Sequence, residues 1–365
     1  MAAGASGRVL FLDGLRGVAL VFMVVNHTAR WWLDLSVGLS RYHLIYLTVP
    51  LSAPLFLFLA GFCVPLSYLS SVGRGESYGR LAWRSVRRGA GLVLAGWLLT
   101  LLVFPEEPLF GGEVLQTIGL SLVGLLPILP LLAWQSVRVL LVALAIGWYT
   151  TFHLAYGHLP GWLAPHPVIS EVWFTGFPPW PWFAFSLLGA VLGWMWADAH
   201  RKPDRERAFF SVMLVAGMVC LAAFLPLELW RGNAPFHFTS RRDLVLNRHW
   251  TPGAVTCLWI LGYLFTVLPL VDYLMETRGF RPRWLVILGQ SSLMLYVIHQ
   301  IIALTLVRQR LGVLFASWWL YALANVALIV ALVGLAWLWP GIKRRVRGMV
   351  APRGPRPPRP PTGSA

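Results

Sequence analysis

Apolar residues along the chain come in runs of about 20, long enough for a helix to cross the hydrocarbon core of a bilayer. Arg-, Asp- and Pro-containing stretches separate the runs. The pattern predicts ten spanning helices, near residues 12–32, 44–70, 89–104, 113–134, 137–156, 177–198, 209–230, 252–275, 285–307 and 314–339. The third run is short and the division at 134–138 is weakly marked, so nine or eleven spans stay open as alternatives.

Composition narrows the class of protein. Of 365 residues, 58% are hydrophobic and 12% are charged, which is too apolar for a soluble domain of this size. We therefore expect an all-α, polytopic integral membrane bundle. One membrane domain is predicted over residues 1–340, followed by a basic, Pro-rich, disordered cytoplasmic tail over 341–365.

The basic residues follow the predicted topology. Short cytoplasmic loops carry an excess of Lys and Arg, and alternate loops of this chain do so. The basic segments are 74–88, 201–207, 278–283 and 343–347. This predicts that both termini are cytoplasmic and that the protein lies in the cell (inner) membrane. The net charge of +16 thus mainly reflects the basic residues of the predicted cytoplasmic segments. No nucleic-acid partner is expected, whereas the tail could contact anionic membrane lipids.

The first span carries an unusual set of polar side chains: Asp13, Arg16, Asn26 and His27. Asp13 and Arg16 are three residues apart, so they share a helical face and can pair. Arg16 and His27 are separated by about three turns, which puts them on one face and about 16 Å apart along the axis. Ionisable groups in a membrane helix are costly and usually functional.

This set of polar side chains on the first span, the polar stripe, is suited to acyl transfer. An imidazole can remove a proton from an attacking hydroxyl or amine, or can itself take the acyl group. A guanidinium can bind the phosphates of an acyl-CoA donor. The alternatives are an interfacial Asp13–Arg16 ion pair that only orients the helix, and a His27 that only caps the helix or lines a pore.

The same residues resemble a known family. The segments Leu12-Asp-Gly-Leu-Arg-Gly17 and Asn26-His-Thr28 resemble the opening of the transmembrane acyltransferase superfamily, and the Arg16–His27 spacing resembles its acyltransferase-3 proteins. Later segments are similar to the heparan-alpha-glucosaminide N-acetyltransferase-like branch, so that the likeness runs over about residues 8–305. The segments are Ser52 to Gly61, Val114 to Gly119, Phe177 to Gly189 and Leu288 to His299. The chain departs from related bacterial proteins at 49–51, where a His is expected, and at Asn26, where many have Asp.

The resemblance implies roles for these residues. His27 would be the catalytic residue, and Arg16, with Asp13 setting its geometry, would hold acetyl-CoA or another acyl-CoA. A saccharide or glycoconjugate would be the acceptor, outside the cytoplasm, with Asn26 beside the reacting group.

Four further residues are candidate substrate contacts: Arg30, Gln116, Trp182 and His299. Gln116 could equally join two helices, and His299 could be a satisfied packing residue. Trp182 lies in a Pro-rich segment that could frame a cavity, although Trp is also common at membrane interfaces. The cysteines show no metal-type spacing, and no metal is expected.

The leading hypothesis from sequence is therefore a ten-span enzyme, an O- or N-acetyltransferase. A transporter or flippase without covalent chemistry is the alternative from another class, and a structural membrane protein is the third. Sequence leaves open the acceptor, the acyl length, O- versus N-transfer, a direct versus a covalent mechanism, and whether the chain forms a homo-oligomer.

Overall fold

The computed structural model describes residues 9–38, 40–155, 166–174, 176–230 and 253–350. The helices of the first half are α1 (Leu10–Trp32), α2 (Ser40–Thr48), α3 (Ala53–Gly73), α4 (Tyr78–Val103), α5 (Val114–Gly124), α6 (Gln135–Ala155) and α7 (Pro167–Phe174). Those of the second half are α8 (Pro179–Ala199), α9 (Pro203–Trp230), α10 (Ala254–Asp272), α11 (Arg283–Gln290), α12 (Ser292–Gln300) and α13 (Trp318–Val350).

The predicted fold class is confirmed. Within the described ranges, nine helices are long and apolar enough to span a membrane, counting α12 together with its π-helical continuation Ile301–Arg310. α5 and the 3₁₀ segment Leu126–Ala133 reach that length only together, so the count is ten when this bent pair is taken as one span. These two pieces meet at 51°, where Pro127 cannot donate a backbone hydrogen bond. The chain is a multi-pass membrane protein. The cytoplasmic placement of the termini stays a prediction.

Several predicted boundaries differ from the structure. The third span begins at Tyr78 rather than at 89, because the arginines assigned to a loop form the first turns of α4. The second predicted span is divided: α2 ends at Thr48, a 3₁₀ turn with Pro50 follows, and α3 begins at Ala53 with Pro54 in its first turn. The last helix continues to Val350, past the predicted domain boundary at 340, and 351–365 lies outside the described residues.

Glycines allow the central helices to pack closely, as small residues do in membrane bundles. A Cβ on Gly61 of α3 would lie 1.9 Å from the Ser186 carbonyl oxygen of α8, and one on Gly289 of α11 would lie 1.8 Å from the Asp13 carbonyl oxygen. The backbone of α1 is thus held against α11. This contact fixes the helix that carries the polar stripe.

Candidate active site

Two cavities lie at opposite ends of α1. The arginine cavity, about 450 Å³, is at the end where α1 begins, and its polar lining includes Arg16, Cys63, Ser67, Ser85, Arg87, Arg88 and Ser292. The histidine cavity, about 250 Å³, is near the end of α1, and its polar lining includes Asn26, His27, Arg30, Ser52, Glu107, Glu113 and Gln300. Val114 and Tyr296 line both cavities, so these side chains form the wall between them.

One side of the Arg16 guanidinium is hydrogen-bonded to protein groups, and the other side faces the cavity. Its Nη1 donates to Asp13 Oδ1 at 2.9 Å, and its Nη2 contacts Cys63 Sγ at 2.9 Å. Asp13 is buried and also accepts from Gln290 Nε2 at 3.3 Å, whereas the Arg16 side chain keeps 28% of its surface exposed. The carboxylate thus holds the guanidinium in one orientation toward the cavity.

Arg87 and Arg88 add two more cations to the arginine cavity. No carboxylate is among the described residues that line it, so the cavity is suited to a multiply charged anion. Sequence reasoning missed these two residues as site candidates because it assigned them to a loop and read them as topology signals. The apolar part of the lining includes Phe56, Val64 and Ile118.

His27 projects from α1 into the histidine cavity and is held by a second histidine. Its Nδ1 lies 2.9 Å from Nε2 of His299, whose Nδ1 lies 2.9 Å from the Leu295 carbonyl oxygen. The Trp31 ring covers His27 at 4.8 Å between centroids. His299 is fully buried behind His27 and does not itself line the cavity.

The neighbours of His27 on α1 attach this helix to others. Asn26 lines the cavity, but its Nδ2 donates to the Ile45 carbonyl and to Thr48 Oγ1, both at 2.9 Å. Thr28 on another face donates to Asn325 Oδ1 at 2.6 Å. Asn26 therefore positions α2 relative to the cavity.

Ionisable groups other than His27 also line the histidine cavity. Arg30, a predicted substrate contact, lines it, together with Glu107 and Glu113, which sequence reasoning missed. Burial, and next the charge of Glu107, raise the pKa of Glu113 to about 7. Burial also raises the pKa of Glu107, against the opposing effect of Arg30. Tyr296 Oη donates to Glu113 Oε2 at 3.4 Å, which links the shared wall to this carboxyl group.

Gln116 and Trp182 line neither cavity. Gln116 is buried, and with its oxygen toward the Trp97 indole it accepts from Nε1 at 2.8 Å and donates to the Gly111 carbonyl at 3.0 Å. Trp182 is fully buried and stacks on Phe177 at 4.1 Å between centroids. Phe177 is itself a lining residue, so Trp182 supports the cavity from behind.

Comparison with known proteins identifies the family. Residues 8–226, more than half of the chain, match the family model described as "Heparan-alpha-glucosaminide N-acetyltransferase, catalytic". No curated protein matches the sequence. The matched segment contains Arg16, His27 and both cavity glutamates but ends before Tyr296 and His299. The further likeness to acyltransferase-3 proteins stays a prediction. The chain belongs to the heparan-alpha-glucosaminide N-acetyltransferase catalytic family, a family of membrane acetyltransferases.

Proposed function

We propose that this protein transfers an acetyl group from acetyl-CoA, bound in the arginine cavity, to an amine or hydroxyl of a saccharide or glycoconjugate in the histidine cavity. The observation that carries the proposal is that the two cavities share a wall. The arginine cavity offers three guanidinium groups, the histidine cavity offers an imidazole, and Val114 and Tyr296 line both.

The arginine cavity fits the donor. Acetyl-CoA carries phosphate groups at one end and its thioester at the tip of a narrow, uncharged pantetheine arm at the other. Arg16, Arg87 and Arg88 can bind phosphate oxygens through charge-assisted hydrogen bonds. The uncharged part of the lining, which includes serines as well as apolar side chains, would take the arm and bring the thioester to the wall at Tyr296. By the positive-inside rule, this cavity would open to the cytoplasm.

His27 would then act as the general base. In the direct mechanism, the imidazole takes a proton from the acceptor N–H or O–H while the acceptor atom bonds to the thioester carbonyl carbon. The C–S bond breaks, and the sulfur leaves with its electron pair and receives the proton from the imidazolium. In the covalent alternative, the imidazole nitrogen first takes the acetyl group and releases coenzyme A, and the acceptor then displaces the imidazole.

The histidine cavity fits a polar acceptor. It combines hydrogen-bonding groups with the aromatic rings of Trp31, Phe104 and Phe177, which is the mixture that a sugar ring requires. The matched family is named for transfer to the nitrogen of a glucosaminide. A protonated amine would be attracted by Glu107 and Glu113 in their ionised forms, so N-transfer is the form of the reaction that these carboxyl groups favour.

Transfer of label from [¹⁴C]acetyl-CoA to glucosamine and its oligosaccharides, with purified protein in lipid nanodiscs, tests the proposal. We expect the wild type to acetylate an acceptor and His27→Gln to lose at least 100-fold in kcat, since a positioned base contributes about 10²–10⁴-fold. His200→Gln is the matched control, because His200 is an exposed imidazole paired with Glu206 outside both cavities. Binding of acetyl-CoA should persist in His27→Gln and weaken in Arg16→Gln.

Two results would overturn the proposal. One is full activity of His27→Gln. The other is a wild type that binds no acyl-CoA and acetylates no amine or hydroxyl acceptor, in which case transport of a substrate without covalent chemistry becomes the hypothesis to test. Label trapped on the wild-type protein but absent from His27→Gln would favour the covalent mechanism over the direct one.

A further inference from the structure

The two histidines form an in-plane hydrogen bond. Their ring planes differ by 9° and the centroids are 5.2 Å apart. That separation is about what the 2.9 Å contact between His27 Nδ1 and His299 Nε2 gives when both nitrogens lie on the line between the centroids. The rings are thus nearly coplanar and end to end rather than stacked face to face. One nitrogen must donate its proton and the other must accept it.

The backbone decides which nitrogen donates. Nδ1 of His299 lies 2.9 Å from the carbonyl oxygen of Leu295, and a carbonyl oxygen only accepts. His299 Nδ1 therefore carries a hydrogen. Its described ring contacts are the backbone of Leu295 and Tyr296, His27 and the Tyr296 ring, none of which is a carboxylate, and the side chain has no exposed surface. Because an uncompensated charge is costly in such a site, the ring is neutral and Nε2 is an acceptor.

The order of protons along the chain of contacts follows from this. If His299 Nε2 accepts, His27 Nδ1 donates and carries the hydrogen. Neutral His27 then has its lone pair on Nε2, at the far side of the ring from His299. A base needs that lone pair, so the carbonyl of Leu295 determines, through His299, which nitrogen of His27 can take a proton.

We propose that His299 is a positioning residue that holds His27 in the Nδ1–H tautomer and leaves Nε2 to act as the base. The inference rests on the proposed acetyl transfer for its catalytic meaning, but the tautomer itself does not. His299 lies outside the segment that matches the family model, on α12, the helix that also supplies Tyr296 to the wall.

The first arm of the test reads the tautomer directly. Wild type labelled with [¹⁵N]histidine is compared by NMR with His27→Gln at neutral pH, and the resonances lost in the variant belong to His27. We expect a protonated Nδ1 and an unprotonated Nε2. A protonated Nε2 with an unprotonated Nδ1 would overturn the inference, whether or not the protein transfers acetyl groups.

The second arm separates positioning from packing. His299→Leu fills the site without an acceptor, whereas the side-chain oxygen of His299→Gln can still accept from His27 Nδ1–H. We expect kcat to fall about 100-fold or more in His299→Leu, by the loss of the base, with KM for acetyl-CoA changed less than threefold, and to recover at least tenfold in His299→Gln. Equal activity of the two variants, at matched thermal stability, would overturn the positioning role.

The two arms distinguish this inference from the proposed function. A wild type with the expected tautomer but no transfer activity would refute the proposed function and leave the hydrogen-bond order intact. A wild type that transfers acetyl groups with the opposite tautomer would refute the positioning role and leave the proposed function intact.

Discussion

Replacing Glu113 by Gln removes a carboxyl group that titrates near neutral pH at the junction of the two cavities. Burial and the neighbouring Glu107 raise its pKa from 4.5 to about 7. In the unfolded chain both causes vanish and the ordinary value returns. The folded protein therefore binds this proton more tightly than the unfolded chain does, and its stability depends on pH in the interval between the two values.

The direction and size of the change in stability with pH follow from the interval between these two pKa values. Below pH 4.5 the group is protonated in both states, and the stabilisation relative to the ionised form is fully present. It is lost as the pH rises from 4.5 through 7, because folding then forces the carboxyl group to keep its proton or to bury its charge. The two values differ by about 2.5 pH units, which corresponds to about 3 kcal/mol.

Thermal unfolding in detergent between pH 4.5 and 8 measures the effect. The midpoint of wild type should fall, relative to Glu113→Gln, by about 5 °C over this range, because the amide cannot ionise. Glu106→Gln is the control: it removes the same charge from an exposed position in the same loop. If the midpoints of wild type and Glu113→Gln stay parallel from pH 4.5 to 8, the carboxyl group is not held neutral by its surroundings and this reasoning is refuted.

Two further predictions concern the arginine cavity and the packing of α3 against α8. Arg87→Gln combined with Arg88→Gln should raise KM for acetyl-CoA about 10- to 100-fold, since a hydrogen bond to a charged group contributes about 1.5–3 kcal/mol; steady-state kinetics that show the same KM as the exposed control Arg80→Gln would contradict it. Gly61→Ala should lower the free energy of unfolding by about 1–3 kcal/mol, because its Cβ would overlap the Ser186 carbonyl. Gly147→Ala, where a Cβ meets open space within a helix, should leave the thermal midpoint unchanged or raise it slightly, and equal losses in both variants would argue against the close contact.

The number and order of spans could be predicted because bilayer thickness sets the length of an apolar run. The start of α4 could not. Arg80, Arg84, Arg87 and Arg88 look like a cytoplasmic loop by charge, but long side chains on a helix can reach polar surroundings or turn into a cavity. Sequence periodicity does not show whether a cavity is present, so the two arginines that line it were assigned to topology.

The part of the candidate site that could be predicted is the part whose residues are energetically costly in a membrane helix. An Arg and a His in an apolar helix are expensive, and their spacing shows that they share a face. Glu107 and Glu113 gave no such signal, because carboxylates near a predicted loop are ordinary until folding brings them to the lining of a cavity. The partner of His27 lies 272 residues further along the chain. A single sequence marks His299 as a buried polar residue but does not reveal which polar residue it meets.

The position of the wall explains how one helix can serve two substrates from opposite sides. Tyr296 and His299 are three residues apart on α12, so the side chain that divides the cavities and the one that holds His27 lie on one helical face. In the proposed function the donor approaches this face from the arginine cavity and the acceptor from the histidine cavity. Under the proposed mechanism only the acetyl group must pass the wall, while coenzyme A and the acceptor each stay on their own side. The distance between Arg16 and His27 is then a requirement rather than an obstacle, because the phosphates of the donor must be anchored far from its reacting carbon.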